Sequence, residues 1–320
     1  MGVNAIQKKK IWSDVNITRD YAAVMAFAVL VIYNVIFTKN FVSIDTFWSL
    51  ITQGFSILMT GFGMALVIAS GGIDISVGST VALSGITIVN LLNYGEIPAM
   101  IGAILVAVVV GLLNGIFVTK LKVQPFIVTL VVYMAGRGVA QLISAGISKS
   151  FYNKPILSYI GIYRIKGIPI QFFILLFFFV VFWLLIKHTT FGIKIQTIGD
   201  NPIASKYAGI NSDRIILASY VISAMLAGFA SIFEVSRVGA ASPSTLGNML
   251  EMDAIAAVVI GGTPMTGGKI NLIGMIFGAL TLQLITVTVH MQSINYTYAY
   301  IIKGVVTLLA FIIQLKSTKK

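Results

Sequence analysis

The residues of this sequence best suited to chemistry are the few ionisable side chains within or beside apolar stretches. Asp and Glu together number only 10 among 320 residues. The charged residues in question are Asp74, Arg137, Glu234, Arg237, Glu251, Asp253 and Lys303. Each would cost about 2.5 to 3.5 kcal/mol at the centre of a membrane, so such groups should face protein or water. Two roles stay open for most of them, namely buried ion pairs between helices and groups that line a transport pathway, whereas Glu234 and Arg237 are close enough on one helix to form a local ion pair.

Glu251 and Asp253 are two nearby carboxylates of a type that can do acid–base chemistry or relay protons. On a helix, however, residues two apart point in different directions, which argues against a shared site. The sequence has no cysteine and only two histidines, His188 and His290, which lie far apart. No nucleophile–histidine–acid arrangement or His-Glu-x-x-His helix is present. We therefore predict no catalytic residue, no metal site and no cofactor.

The nearest match to a phosphate-binding loop is GGTPMTGGK at residues 261–269. It ends in Gly-Lys, but Thr263 replaces the first glycine of that motif and Ile270 replaces its Ser or Thr. The match also follows a short apolar segment with helical character, whereas a phosphate-binding loop follows a strand. The sequence therefore predicts that this chain does not itself bind ATP.

Two glycine-rich segments interrupt apolar runs in a similar way. They read GGIDISVG at 71–78 and GGTPMTGG at 261–268. Glycine leaves helical geometry without a Cβ penalty, and similar helix breaks in two halves of a chain indicate a transport pathway. The alternative is that these glycines only form tight turns and close packing points. The predicted pathway residues are Gly71, Gly72, Asp74, Ser76, Gly78, Arg137, Glu251, Asp253, Gly261 and Gly262.

The elements that must position these residues are apolar helices. Hydrophobic residues make up 58% of the chain and charged residues 10%, which excludes a soluble globular protein. We predict an all-α polytopic transmembrane bundle with about ten crossings, some broken or re-entrant, in a single domain over residues 1–320. The predicted spans are 21–38, 48–70, 75–93, 97–118, 124–145, 170–187, 214–234, 252–264, 270–290 and 296–315. The eighth has only 13 residues, so it is either buried in protein or half of a re-entrant pair.

Basic residues predict the orientation. Ten crossings place both termini on one side, with 14 of the 22 Lys and Arg residues there and 6 on the other side. The positive-inside rule makes the first side cytoplasmic. The net charge of +12 then reflects topology, and nucleic acid is not an expected partner. The apolar run 21–37 is too long for a signal-peptide core, so we expect it to remain as a membrane anchor.

A polar cytoplasmic loop is predicted at about 188–213. Asp200 or Asn201 can cap a helix, Pro202 suits its first position, and Gly209 can end it. The result is a helix of about two turns, Pro202 to Ala208, that projects from the membrane. A helix this short is marginal by itself, so we expect it either to dock against a partner or to be an ordinary surface turn.

Four motifs resemble one known family over nearly the whole chain. They are GGIDISVGS at 71–79, QPFIVTL at 124–130 with GRG at 136–138, FGIK at 191–194 with IGDN at 198–201, and EMDAIAAVVIGG at 251–262. These motifs are similar to those of the permease subunits of bacterial ABC sugar importers of the ribose and galactofuranose type. Such permeases are inner membrane components of binding-protein-dependent transport systems.

The resemblance implies a multi-pass protein of the bacterial cytoplasmic membrane with several partners. These would be two cytoplasmic ATP-binding cassette domains, a second permease that is identical or homologous, an extracytoplasmic sugar-binding protein, a small neutral sugar, and membrane lipid. It also implies a coupling motif of Glu-Ala-Ala, three residues and Gly, where this chain has Ile203 for Glu and Ser205 for the second Ala. The implied coupling residues are Asn201, Pro202, Ala204, Ser205, Ala208 and Gly209.

Two other functions remain open. One is a proton-coupled secondary transporter or channel that uses Asp74, Glu251 or Asp253. The other is a membrane scaffold or receptor subunit. Neither would require ATPase partners.

Overall fold

The chain folds as a bundle of α-helices. The computed structural model describes the backbone of residues 22–318 and the side chains of residues 23–312. Outside the described residues lie Lys8, Lys9, Lys10, Arg19, Lys319 and Lys320, all used above to predict orientation. The helices are α1 (Ala22–Phe37), α2 (Ile44–Ala69), α3 (Val77–Leu91), α4 (Glu96–Thr119), α5 (Pro125–Ser144), α6 (Pro155–Ile162), α7 (Ile170–His188), α8 (Thr190–Asp200), α9 (Pro202–Tyr207), α10 (Ser212–Val238), α11 (Leu250–Ile260), α12 (Leu272–Met291) and α13 (Thr297–Thr318). The strands are β1 (Lys149–Ser150), β2 (Arg164–Ile165), β3 (Ile168–Pro169) and β4 (Ala240–Ala241).

Seven helices of the described part are long and apolar enough to cross a membrane. They are α2, α3 with its extension to Tyr94, α4, α5, α7, α10 and α12. Helix α1 and the described part of α13 are apolar but shorter. Helix α11 has 11 residues, most of them buried, and is only about 16 Å long at 1.5 Å per residue. The prediction of an all-α polytopic membrane protein is confirmed, and the short eighth segment is buried in protein.

Helix α2 lies at the centre of the bundle, whereas α5 and α7 lie at its edge. In the most apolar window of each helix, 83% of the residues of α2 are buried, against 17% for α5 and 22% for α7. The outward faces of the edge helices carry large apolar side chains such as Met134 and Phe177. Faces of this kind suit the hydrocarbon core of a bilayer.

Small residues allow α10 to pack closely against α2 and α4. A methyl group added at Gly63 on α2 would lie 2.5 Å from the Cα of Ser223, and one added at Gly111 on α4 would lie 2.7 Å from the Cα of Val221. Close backbone approach at small residues is typical of helix packing in membranes, where dispersion contacts replace the hydrophobic effect. These contacts fix the depth of α10 relative to its neighbours.

The connections give the bundle two distinct ends. Strand β1 pairs antiparallel with β4, with Lys149 opposite Ala241, so segments 145–169 and 239–249 meet at one end. We call it the hairpin end. Helix α7 runs from there to the other end, which carries α8 and α9 within residues 189–211. We call that the helical-loop end.

Helix α8 was not predicted, because residues 189–200 read as polar loop. Its side chains show why it forms. Thr189 caps the helix by accepting a 3.4 Å hydrogen bond from the N–H of Gly192. Ile195 and Ile198 face the bundle and are buried. The apolar stripe is narrow, and the polar residues between its members concealed it.

Candidate functional site

The first glycine-rich segment forms an irregular break between α2 and α3, at residues 70–76, and Asp74 lies at its centre. This side chain is fully buried. Its Oδ1 accepts hydrogen bonds from the N–H of Ser76 at 3.0 Å and from the Ser76 hydroxyl at 2.6 Å. Its Oδ2 accepts a 3.2 Å bond from the hydroxyl of Ser223 on α10. Asp74 therefore joins the break to α10 through a satisfied network.

Further bonds attach the break to α4, α5 and α10. The Nδ2 of Asn114 donates to the Ser76 hydroxyl at 2.7 Å. The carbonyl of Ile73 accepts from Thr129 Oγ1 and from the Tyr220 hydroxyl, both at 3.3 Å. Thr129, Tyr220 and Ser223 were not among the predicted site residues. The signal for them was a polar residue in an otherwise apolar helix, which membrane proteins use to join helices.

Arg137 holds a second irregular segment, which precedes α11. Its guanidinium donates to the carbonyl of Pro243 at 3.1 Å, of Leu246 at 2.7 Å and of Gly247 at 3.2 Å. Arginine suits such a role because its planar fork presents several donors in fixed directions. These three bonds explain the position of Arg137 without an acidic partner.

Gly78 and Glu251 meet beside this segment. A methyl group added at Gly78 would collide with Oε2 of Glu251 and would lie 2.5 Å from the carbonyl oxygen of Gly247. Glu251 is 3% exposed, and within the described residues its Oε2 has no hydrogen-bond partner. The structure thus brings together Gly78, Arg137, Gly247 and Glu251, of which Gly247 was not predicted.

Asp253 lies in different surroundings from Glu251. Its Oδ2 is 2.7 Å from Nζ of Lys303 on α13, and their side chains are 19% and 9% exposed. Lys303 therefore forms the interhelical ion pair that the sequence left open. The two carboxylates have separate environments, as their spacing on one helix predicts.

The second glycine-rich segment connects α11 to α12 at the helical-loop end. Gly261 packs against the backbone of Gly274 and Met275, and Gly262 has a φ of +88°. The N–H of Gly268 donates a 3.0 Å hydrogen bond to the carbonyl of Ala69, the last residue of α2. The two predicted breaks therefore meet at one point of the bundle, although Gly71, Gly72, Gly261 and Gly262 serve here as turn and packing residues.

Helix α8 reaches this same point. A methyl group added at Gly199 would collide with the carbonyl oxygen of Ala69 and would lie 2.5 Å from the backbone nitrogen of Gly268. Gly199 is next to Asp200, which ends α8, and α9 begins at Pro202. The chain leading into α9 thus contacts both breaks through backbone atoms.

Helix α9 agrees closely with the predicted short helix. Asn201 is its cap, since Oδ1 accepts a 2.9 Å hydrogen bond from the N–H of Ala204. Pro202 is at the first helical turn, and Gly209 has a φ of +74° just after the end. The helix ends at Tyr207, one residue earlier than predicted, with Ala208 as its C-cap.

The surface of α9 is divided into an inward and an outward side. Ser205 is buried, and its hydroxyl lies 3.5 Å from that of Ser212. Ile203 and Tyr207 are 71% and 89% exposed. Ala204 and Ala208 are exposed as well. The outward side therefore carries Ile203 and Tyr207, two large side chains that were not among the predicted coupling residues.

The arrangement offers no obvious chemistry for catalysis. Among the side chains of residues 23–312, no group of three or more His, Asp or Glu could hold a metal ion. The polar groups of the candidate site instead hold irregular backbone in place within an apolar bundle. Such backbone is tolerated at membrane depth only where protein or a wet cavity surrounds it.

Comparison with known proteins gives a consistent result. The model of one family, described as "Branched-chain amino acid transport system / permease component", matches residues 46–311. The galactofuranose transporter permease protein of Escherichia coli strain K12 is 38% identical over 81% of this chain and 76% of its own length. The ribose import permease protein of the same strain is 34% identical over 90% of this chain and 92% of its own. The fructose import permease protein of Bifidobacterium longum is 35% identical over 85% of this chain and 81% of its own.

No solved structure shows a significant match to this chain. The family match covers most of the sequence, including both breaks and the segment with α8 and α9. The relatives cover the chain almost as fully. The chain belongs to the family described as the permease component of the branched-chain amino acid transport system.

Proposed function

We propose that this chain is the permease subunit of an ATP-driven importer that moves a monosaccharide across the bacterial cytoplasmic membrane. The relatives named for galactofuranose, ribose and fructose support a sugar as the cargo. The partners are two cytoplasmic ATP-binding cassette domains, a second permease and an external sugar-binding protein. This chain is the transport subunit, and ATP hydrolysis takes place on its partners.

The observation that carries the proposal is the contact of Gly199 with Ala69 and Gly268. It connects the chain before α9 to both helix breaks through backbone atoms, which cannot change rotamer to absorb a displacement. Movement of α9 therefore shifts the ends of α2 and of the segment between α11 and α12. In a subunit driven by external ATPases, this is where a mechanical input would enter.

In this proposal the helical-loop end is cytoplasmic and the chain crosses the membrane ten times. The seven long spans are joined by α1, α13 and the crossing that α11 completes. Lys120, Lys122, Lys187, Lys194 and Lys206 then lie on the cytoplasmic side, in agreement with the positive-inside rule. Both termini are cytoplasmic in the same arrangement.

Closure of the ATPases on ATP draws α9 and the corresponding helix of the second permease together. The outward surface of α9, with Ile203, Ala204, Tyr207 and Ala208, docks in a groove of the ATPase. The displacement passes through Gly199 to the segments 71–78 and 251–268, and access to a path beside them alternates between the two sides. Arg137 and Glu251 position that path, in keeping with their contacts to segment 243–247 and to Gly78.

Reconstitution into proteoliposomes tests the function. The chain with a cassette ATPase and a binding protein should take up sugar only when ATP is supplied on the cytoplasmic side. The chain alone, under a proton gradient, should move none. Uptake by the chain alone would reject the proposal in favour of a secondary transporter or channel. A lack of uptake by the complete system with ribose, fructose and galactofuranose would reject sugar import.

A further inference from the structure

A polar cavity of about 300 Å³ opens at the hairpin end within this single chain. It is separate from the breaks at the helical-loop end and lies among α2, α10, α11, α12 and α13. Its volume falls at the lower limit for small-molecule sites, which span about 300 to 1,000 Å³. In a chain with 58% hydrophobic residues, a cavity of this chemical character requires an explanation.

Amide side chains supply much of its hydrogen-bonding capacity. Gln53 on α2 and Gln283 on α12 approach each other across it, with Nε2 of Gln283 3.4 Å from Oε1 of Gln53. Asn248, in the loop before α11, is exposed at the cavity. An amide offers both donors and acceptors, which matches hydroxyl groups that also do both. Ser56 and Thr286 add hydroxyls of their own.

The charges in the cavity balance, and three of the four charged groups have partners. Asp253 and Lys303 form the ion pair described above, at 2.7 Å. Glu234 accepts a 3.1 Å hydrogen bond from Ser56. Arg237, the remaining charge, is exposed. Two acids and two bases give no net charge, so the cavity selects neither an anion nor a cation, and a neutral polar ligand fits it best.

Two tyrosines complete the wall. The rings of Tyr296 and Tyr300 are nearly perpendicular, at 89°, with centroids 5.2 Å apart. Both contribute to the cavity, and Tyr296 is half exposed. An aromatic face combined with a small set of oriented polar groups is the usual composition of a site for an uncharged small molecule.

We propose that this cavity is a binding site for a neutral monosaccharide within one permease subunit. This inference rests on the proposed function, since it identifies where the cargo is held between release by the binding protein and passage inward. The site is made by one chain alone, so each permease of a pair would hold its own sugar. Because Asp253 and Lys303 pair with each other and Glu234 accepts from Ser56, the ammonium group of a zwitterionic amino acid would have to displace an existing partner to bind.

Saturation-transfer NMR on the full-length permease in lipid nanodiscs tests the site. D-ribose, D-fructose and D-galactose are the sugar probes, and L-leucine is the probe for an amino acid. Gln53→Ala and Asn248→Ala change exposed residues, so both variants should fold. Each removes hydrogen bonds to the sugar and should weaken its binding roughly three- to tenfold. Gln141→Ala is the matched control, since Gln141 is an exposed glutamine on α5, outside the cavity.

Sugar signal from the wild type that falls in both cavity variants and persists in Gln141→Ala would support the inference. It would be overturned by leucine signal without sugar signal, by no signal with any probe, or by equal signals from all variants. ATP-driven uptake by the complete system is measured in parallel. Normal wild-type uptake without sugar binding in the cavity refutes only this site, whereas absence of ATP-driven uptake refutes the proposed function.

Discussion

The N–H of Gly268 donates a 3.0 Å hydrogen bond to the carbonyl of Ala69, which joins the end of α2 to the segment between α11 and α12, nearly 200 residues later in the sequence. Gly199 packs against both partners of this bond. A side chain at position 199 would have to displace backbone, since no flexible side chain is present to move aside. The junction is therefore sensitive to the addition of a single methyl group.

Gly199→Ala should uncouple transport from ATP hydrolysis. Overpacking of this kind costs about 1 to 3 kcal/mol, which corresponds to a change of roughly 5- to 150-fold in a conformational equilibrium. ATP-driven uptake in proteoliposomes should therefore fall at least about fivefold. Gly138→Ala is the control, because nothing lies within 4 Å of a methyl group added there. Equal uptake by the two variants would show that the junction does not transmit movement.

Asp74→Ala should destabilise the protein more than Asp74→Asn. Alanine removes an acceptor of three hydrogen bonds and leaves the hydroxyls of Ser76 and Ser223 buried with fewer partners. The loss should be at least about 2 kcal/mol. Asparagine keeps one acceptor oxygen, and its amide can donate to Ser223. Thermal unfolding in detergent measures the difference, and a Tm for Asp74→Ala at the wild-type value would contradict the structural role.

Arg137→Lys should loosen the segment before α11. A single ammonium group cannot span the carbonyls of Pro243, Leu246 and Gly247 that the guanidinium now binds. Amide hydrogen exchange over residues 243–250 should become faster by roughly tenfold, as expected for loss of one or two hydrogen bonds. Arg164→Lys is a suitable control, since Arg164 is exposed and makes just one long contact, 3.5 Å, with the exposed Asp45. If amide hydrogen exchange over residues 243–250 is unchanged in Arg137→Lys, the Arg137 guanidinium does not hold this segment in place.

Lys303→Met should be rescued by a second change at Asp253. Loss of one partner of a mostly buried pair leaves an uncompensated charge and costs about 3 to 5 kcal/mol. The double variant with Asp253→Asn should recover most of the stability. The exposed pair Lys122 and Asp213 provides the comparison, where a single change should cost under about 1 kcal/mol. Additive losses at positions 303 and 253 would mean that the pair contributes no coupling.

Single introduced thiols test the orientation against a background free of cysteine. Tyr152→Cys lies at the hairpin end and Tyr207→Cys at the helical-loop end, where the tyrosines are 81% and 89% exposed. A membrane-impermeant maleimide should label the first in intact cells and the second only after permeabilisation. The reverse pattern would invert the topology and remove α9 from the reach of cytoplasmic ATPases.

Local signals in the sequence predicted local structure well. Asn201, Pro202 and Gly209 specify where α9 begins and ends, because capping and backbone conformation depend on a few adjacent residues. The same holds for the long apolar spans. Helix α8 escaped prediction since its buried stripe, with Ile195 and Ile198, is short and interrupted by polar residues.

Contacts between distant backbones could not be predicted in the same way. The contacts of Gly199 with Ala69 and Gly268 are made by backbone atoms, which every residue has. The residue types at these positions therefore do not indicate that they lie together. Arg137 similarly binds carbonyl groups, and a search for an acidic partner would not find its true contacts. The polar cavity likewise draws on five helices, whose relative depth depends on close packing at positions such as Gly63.

The short ladder between β1 and β4 has a mechanical consequence for the outer surface of the protein. It ties residues 149–150 to residues 240–241, only a few positions before the loop that carries Asn248. In the importer proposed above, a binding protein that docks on segment 145–169 would therefore push on the mouth of the polar cavity without contacting a membrane-spanning helix. Docking of the sugar-loaded binding protein and opening of the cavity would then occur in one step.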